Sequence, residues 1–481
     1  MDGKPPSKLH ASSTKPGGAS PHIAGAPPIN RISELVADLI AATGLVPDDK
    51  LAVARGSLRT DSLARTHAEQ RQHGVEEPRA LGDSEAEGAS VDAALDQLVN
   101  SLILQAAEDG ASDLHLEPQE DGLLVRMRVD GVLREAQLIP KRTATGVIAR
   151  LKALARLEVD EQRIPQHGRM SLDAAVAGRR LDLRVATLPT VEGESVVIRL
   201  LDRSRRAVTL QELGLSEDMA TQLGRVIARA KGAVVVTGPA GSGISTTLYA
   251  VLAEINRPEI NVVTVEDAVE HQLPGIKQMQ TDEQAGFTYE TALRSILRSD
   301  PDVVMVGEIR DAETARISVE AALTGHLVLT AVRADDAPQA LTRLADMGVE
   351  PLLIGSAVSA VLAQRLARKL CAHCCEMYPP SADELMKARV SPEVAAASDG
   401  MVFYRKKGCP RCHQTGYRGR IGIYQLLIVS ERLEAIAAAN PSREEIERAA
   451  ISEGMRTLWD DGLAKVAAGF TSIEELVRVS I

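Results

Sequence analysis

The stretch Gly238, Pro239, Ala240, Gly241, Ser242, Gly243, Ile244, Ser245 and Thr246 has the spacing of a loop that can wrap a phosphate. Glycines let successive backbone N–H groups converge on an anion, and a helix beginning at the end of the loop adds the favourable end of its dipole. The pattern for such a loop is G-x-x-x-x-G-K-[S/T], and every element is present except the lysine, whose place is taken by Ile244. Ser245 keeps the hydroxyl that would bind Mg²⁺. Taken alone, the stretch could also be a glycine-rich turn with no ligand.

A second group of reactive residues is formed by sulfur. All five cysteines lie between Cys371 and Cys412. Cys371-Ala-His-Cys374 and Cys409-Pro-Arg-Cys412 are two C-x-x-C pairs separated by 34 residues, a spacing that suits a tetrahedral four-cysteine zinc site. Four sulfurs leave no open coordination position, so the zinc would be structural. Buried cysteines without metal are the alternative, and either of the neighbouring Cys375 and His373 could be a bystander. A third candidate is Glu308. It follows the apolar run Val303 to Val306, where an acid at the C-terminal end of a buried parallel strand faces the crevice in which α/β sheets bind ligands. The plainer reading of Glu308 is a helix cap.

These residues need a scaffold. Ala233-Val-Val-Val-Thr237 reads as a buried parallel strand, reached through a helix that starts near Leu210. Strand, loop and helix then alternate to about Leu370, as expected of a parallel sheet flanked by helices over 206–370. Upstream, a helix over Val91–Asp109 leads to strands at 113–117 and 123–129, with Asp130-Gly131 as a hairpin turn. A helix over Thr143–Leu157 and strands at 180–185 and 195–201 complete an α+β domain over 91–205. The expected order is a disordered 1–30 segment rich in Pro and small residues, a small amphipathic helical module at 31–60, a polar linker at 61–90, the two domains, a cysteine segment at 371–420 and a helical region at 421–481.

Composition excludes several classes. Hydrophobic residues make up 44% of the 481 and charged residues 25%, which is ordinary for globular protein. No apolar run approaches the roughly 18 residues of a membrane span, and Met1 to Ser20 has no apolar core of a secretory signal. Clustered C-x-x-C pairs indicate a reducing compartment, hence the cytoplasm. A net charge of −11 and 2% aromatics argue against nucleic acid as a partner.

Taken in chain order, the motifs resemble one family. Thr237 to Tyr249 resembles the Walker A region of the type II secretion and type IV pilus assembly ATPases, the general secretion pathway protein E family. Thr264-Val-Glu-Asp-Ala-Val-Glu270 resembles its Asp box, Asp300 to Asp311 its Walker B segment, and Ala322 to Thr330 the approach to its His box. Ala111 to Pro118, Val129 to Glu135 and Thr415 to Tyr424 are also similar, so the likeness runs from about residue 91 to the C-terminus. The resemblance implies a RecA-like P-loop motor domain preceded by an α+β domain, with a four-cysteine zinc segment and a helical tail.

By the same resemblance ATP, Mg²⁺ and Zn²⁺ are the cofactors. Glu308 would position or deprotonate the attacking water and Glu266 would assist. Arg169 and Arg184 match arginines that reach the phosphates when the two domains close. Ser195 stands where a third position usually carries Arg or Lys, and Arg333 where a histidine usually sits near the γ-phosphate. Slow hydrolysis is therefore expected, with Arg333 a candidate to supply the cation that Ile244 cannot. The implied partners are further copies in a homo-hexameric ring and the cytoplasmic part of an inner-membrane secretion platform, which would hold the chain at that membrane. The alternative is a non-hydrolysing structural or regulatory subunit, mixing with an active paralogue.

Overall fold

A computed structural model of the chain describes residues 83–174, 179–202, 208–229, 231–282, 284–389 and 402–480. The segment expected to be disordered (1–30), the module at 31–60 and most of the 61–90 linker lie outside them. Helix α1 (Asp83–Glu108) begins inside the stretch read as linker and before the expected start at Val91. Among the described residues the chain divides into two units, with the boundary between Ile103 and Leu104.

The second unit contains two sheets. In the first, β1 (Ala111–Gln119), β2 (Gly122–Val129), β3 (Val132–Pro140), β4 (Gln166–Ala174), β5 (Arg179–Thr190) and β6 (Gly193–Asp202) form an antiparallel sheet of order β3-β2-β1-β6-β5-β4. The β2–β3 turn is made by Asp130 and Gly131 at φ +50° and +83°, the left-handed pair that a two-residue hairpin requires. Helix α2 (Lys141–Leu154) buries Val147 and Leu151 in this domain. Lys152 is also buried, and its Nζ meets Glu194 Oε2 at 2.8 Å. A charge so deep persists only with such a partner.

The second sheet has seven strands, among them β9 (Lys277–Gln280), β12 (Val358–Leu370) and β15 (Tyr417–Ile428), in the order β15-β12-β7-β11-β10-β8-β9. Strands β7 (Gly232–Thr237), β8 (Val262–Glu266), β10 (Val303–Val306) and β11 (Leu327–Val332) are buried along their whole length, because helices cover both faces. One face packs under α3 (Glu217–Ile227) and α4 (Ile244–Ile255) through Leu223, Leu248 and Leu252. The other packs under α5 (Tyr289–Ile296), α6 (Ala312–Leu323), α7 (Ala337–Asp346) and α8 (Pro351–Ala357), through Leu293, Ile317, Leu341 and Ile354. The expected helix from Leu210 is split into a 3₁₀ turn at Leu210–Leu213 and α3, since Gly214 takes a left-handed conformation between them.

The parallel core leads into the cysteine segment and the C-terminal helices, and two further strands of the same sheet flank that segment. Strand β12 (Val358–Leu370) pairs parallel with β7, and β15 (Tyr417–Ile428) pairs antiparallel with β12. The cysteine segment, with its small β13 (Glu376–Tyr378) and β14 (Phe403–Arg405) ribbon and α9 (Ala382–Lys387), is therefore an insertion between two neighbouring strands of the motor sheet. Helices α10 (Glu431–Ala438), α11 (Arg443–Ser452), α12 (Leu458–Ala467) and α13 (Ile473–Val479) follow. Helices α12 and α13 pack Val466, Ile473 and Leu476 against Ala367 of β12, Phe403 of β14 and Ile423 of β15.

Candidate functional site

Parallel register gathers the candidate residues at one edge. Thr237, the last residue of β7, stands opposite Val332 at the end of β11. Val306 of β10 stands opposite both Thr330 of β11 and Val265 of β8. The loop after β7, Glu266 ending β8, Gly307-Glu308 after β10 and Arg333 after β11 therefore emerge side by side at the C-terminal edge of the sheet, where such sheets bind ligands.

The loop runs directly from the end of β7 into α4. Gly243 caps α4 at φ +92°, a conformation that side chains disfavour. At Gly238 an added Cβ would stand 2.5 Å from the Gln364 carbonyl oxygen, so only glycine lets β12 come so close. Pro239, Ala240 and Gly241 form an exposed arch, and Ser242 N–H closes it by donating to Pro239 O at 3.1 Å. Thr246 is exposed on the first turn of α4, and Ser245 Oγ donates to Glu270 Oε1 at 3.2 Å. Ile244 is half-buried and packs onto the apolar cluster beneath α3 and α4. The position that a lysine would hold carries only hydrocarbon.

One contributor was not legible in the sequence. Gln364, buried where β12 runs past the end of β7, donates from Nε2 to Ser242 O at 2.9 Å and accepts from Thr247 Oγ1 at 2.8 Å. It ties the loop to α4. No local pattern marks it, because the contact spans more than a hundred residues of chain.

The acids sit in different surroundings. Glu266 is 6% exposed and accepts from the Tyr249 phenol, from Thr264 Oγ1 at 2.7 Å and from Gln278 Nε2 at 3.2 Å. Burial and this carboxylate push the Tyr249 phenol up, so it stays a donor. Glu308 is clamped. Arg333 Nε reaches Oε1, Arg333 Nη2 lies 3.4 Å from Oε2, and Arg310 Nε donates to Oε2 at 2.8 Å. Burial would push the Glu308 carboxyl up, but the two guanidiniums outweigh it and hold the group below the ordinary carboxylate range. Arg310 also bridges to Asp267 at 2.5 Å. Arg333, the candidate for the missing cation, is thus paired with Glu308. This follows from its place after β11, the strand that stands between those of the loop and of Glu308.

Arg169 and Arg184 face each other across β4 and β5, and Arg184 faces Arg199 across β5 and β6. With Asp113 and His167 they line a depression on the antiparallel sheet that does not include the loop. The two arginines are thus near one another and apart from the phosphate loop's cleft. Ser195 Oγ lies 3.3 Å from Leu116 O, turned to the neighbouring strand.

The cysteines come together as expected. Sγ atoms of Cys371, Cys374, Cys409 and Cys412 all lie within 4.8 Å of one another, with separations of 3.9 Å for Cys371–Cys409, 3.8 Å for Cys374–Cys412 and 3.7 Å for Cys409–Cys412. A tetrahedral ion with bonds near 2.3 Å needs edges of about 3.8 Å, so the set fits a zinc-sized ion. Burial would push the Cys412 thiol up, but N–H groups of Cys409 and Gly416, each 3.2 Å from its sulfur, help bring it down to about 6. A thiolate is the ligand form. Cys375 is outside the cluster, and His373 meets Arg411 at 2.9 Å.

No helix among the described residues is long and apolar enough to cross a membrane. Residues 88–478 match the family described as Type II/IV secretion system protein. The chain is 47% identical over 390 residues to a Type II secretion system protein E of Pseudomonas aeruginosa, covering 81% of this chain and 76% of that one. It is 44% identical over 389 residues to the Type II secretion system ATPase E of Vibrio cholerae, again covering 81% and 76%. The structure is similar to that of the Legionella pneumophila ATPase DotB, with a TM-score of 0.57 at 19% identity over 78% of this chain and 93% of that one, a likeness of fold.

Proposed function

The chain belongs to the type II/IV secretion system protein family, whose ATPases energise secretion, and we propose that it is a nucleotide-binding ring subunit whose hydrolysis is slowed by the loss of the loop lysine. The observation that carries this reading is Ile244: its side chain packs on the core while the loop before it still joins β7 to α4 through a left-handed Gly243. Backbone N–H groups, the dipole of α4 and the Ser245 hydroxyl support binding of Mg²⁺-ATP. The ε-ammonium that would neutralise the β- and γ-phosphates is gone.

When bound, the nucleotide supplies the phosphoryl group and Mg²⁺ its charge neutralisation. Glu308 orients the attacking water, and Glu266 holds the neighbouring acidic edge through Tyr249 and Thr264. Arg169 and Arg184 serve the phosphates only after the antiparallel domain closes on the motor. The four cysteines hold a structural zinc with no open position. The working unit is a homo-hexameric, cytoplasmic ring at the inner-membrane secretion platform, with the N-terminal region as its docking element.

Removing one preorganised donor typically costs about 10²–10³ in rate. Mg²⁺-ATP turnover by the unmodified protein is therefore expected to lie about a hundredfold or more below that of Ile244→Lys. Equal turnover of the two proteins would sink this reading. The clamp on Glu308 favours a second one, a non-hydrolysing subunit, since both carboxylate oxygens are occupied. Under that reading both proteins are silent.

A further inference from the structure

The phosphate loop opens onto a cleft of about 620 Å³ whose floor includes Ser242, Gly243 and Thr246. The same cleft is lined by Arg134 of β3 and by Arg418 and Arg420 of β15. Arg418 and Arg420 flank Gly419, whose left-handed backbone (φ +79°) sits in a bulge of β15, and both arginines line the cleft. None of these three guanidiniums has a hydrogen-bond or ion-pair partner among the described residues.

Four of the five acids that line the same cleft are engaged, Glu108 being the fifth, and Glu212 accepts from Thr209. Asp130 accepts from Gly419 N–H at 2.8 Å, Asp109 lies 3.6 Å from His413, and Glu270 accepts from Ser245. The Asp130 bond also joins the β2–β3 hairpin to the start of β15, so the walls that carry the arginines are fastened to each other. Ser242 lines the same cleft and is 4% exposed, and its Oγ has no partner among the described residues. A buried hydroxyl is rarely left unsatisfied, and its place on the cleft wall suits an acceptor-rich ligand. The cleft thus offers an anion both the start of α4 and guanidiniums without a partner among the described residues.

We infer that Arg134, Arg418 and Arg420 are the cations that hold the nucleotide's phosphates in this chain, in place of the lysine lost at position 244. The inference rests on the nucleotide-binding reading above and assigns the charge that reading leaves missing. Arginine suits the role, because a guanidinium grips phosphate oxygens in a forked geometry that a single ammonium cannot.

The test is calorimetric titration of the full-length protein with Mg²⁺-ATP, using the unmodified chain, Arg418→Ala/Arg420→Ala, and the same double variant carrying Ile244→Lys. The double variant is expected to lose at least about tenfold in affinity, and Ile244→Lys to restore most of it. Two results overturn the inference: affinity unchanged in the double variant, or a loss that the lysine does not repair, which would mark the arginines as merely structural. If the unmodified chain binds no nucleotide, the nucleotide-binding reading falls and this inference falls with it.

Discussion

The cysteine cluster and the phosphate loop contrast in where their chemistry resides. In the cluster the ligands are side chains, and all four converge at separations that suit one tetrahedral ion. In the loop proposed to hold phosphate the ligands would be mainly backbone N–H groups, and the one side chain that should add charge is an isoleucine packed on the core. Side-chain chemistry is lost with a single substitution. Backbone chemistry survives it, because glycine conformations, the helix start and the Gln364 tie do not depend on what occupies position 244.

The contrast can be broken at the cluster first. Structural zinc sites contribute on the order of 10 kcal/mol to folding. Cys371→Ser with Cys409→Ser is expected to abolish zinc binding and unfold the insertion, read as loss of bound metal and rapid proteolysis between β12 and β15. Metal-free protein that resists both denaturation and proteolysis as well as the native chain would remove the cluster from this comparison.

The strand that delivers Cys371 offers a second test. Glu475 is fully buried on α13 and accepts from Arg368 of β12 at 2.8 Å and from Arg478 of its own helix. Burial would push its carboxyl up, yet the hydrogen bonds of these arginines bring it down to about 2. A carboxyl lowered on folding stabilises the folded chain above its unfolded pKa, near 4.5, and that stability disappears as pH falls toward 2. The contribution is about 3 kcal/mol at neutral pH. Chemical denaturation of Glu475→Gln is therefore expected to show a weaker protein at pH 7 with a shallower loss between pH 4.5 and 2. An identical acid profile in the two proteins would contradict the pairing.

A smaller effect sharpens the loop's side of the comparison. Gln364→Ala leaves Thr247 Oγ1 and Ser242 O without their partner, a change of about 1–3 kcal/mol for buried groups. Mg²⁺-ATP binding should weaken with it. Full affinity in that variant would show that the loop holds its shape without β12.

Much of this was legible in the sequence where chemistry is local. The glycine spacing of the loop, the two C-x-x-C pairs, the Asp130-Gly131 turn and the apolar parallel strands each declare themselves within a few residues. What was not legible depends on distant pairing. Strand β15 joins the motor sheet across the whole cysteine insertion, Gln364 reaches back to α4, and Arg333 meets Glu308 through the order of strands rather than their spacing. Arg418 and Arg420 read locally as a family-like stretch, and only the fold brings them to the cleft with the loop.

The central claim is that the backbone cradle outlasts its lysine. Equilibrium binding of Mg²⁺-ATP to the unmodified protein and to Ile244→Lys measures it directly. The account predicts saturable one-site binding by both, with the unmodified chain weaker by no more than about a hundredfold, since one lost charge-assisted contact is worth up to about 3 kcal/mol. Binding by Ile244→Lys with none by the unmodified chain would contradict it.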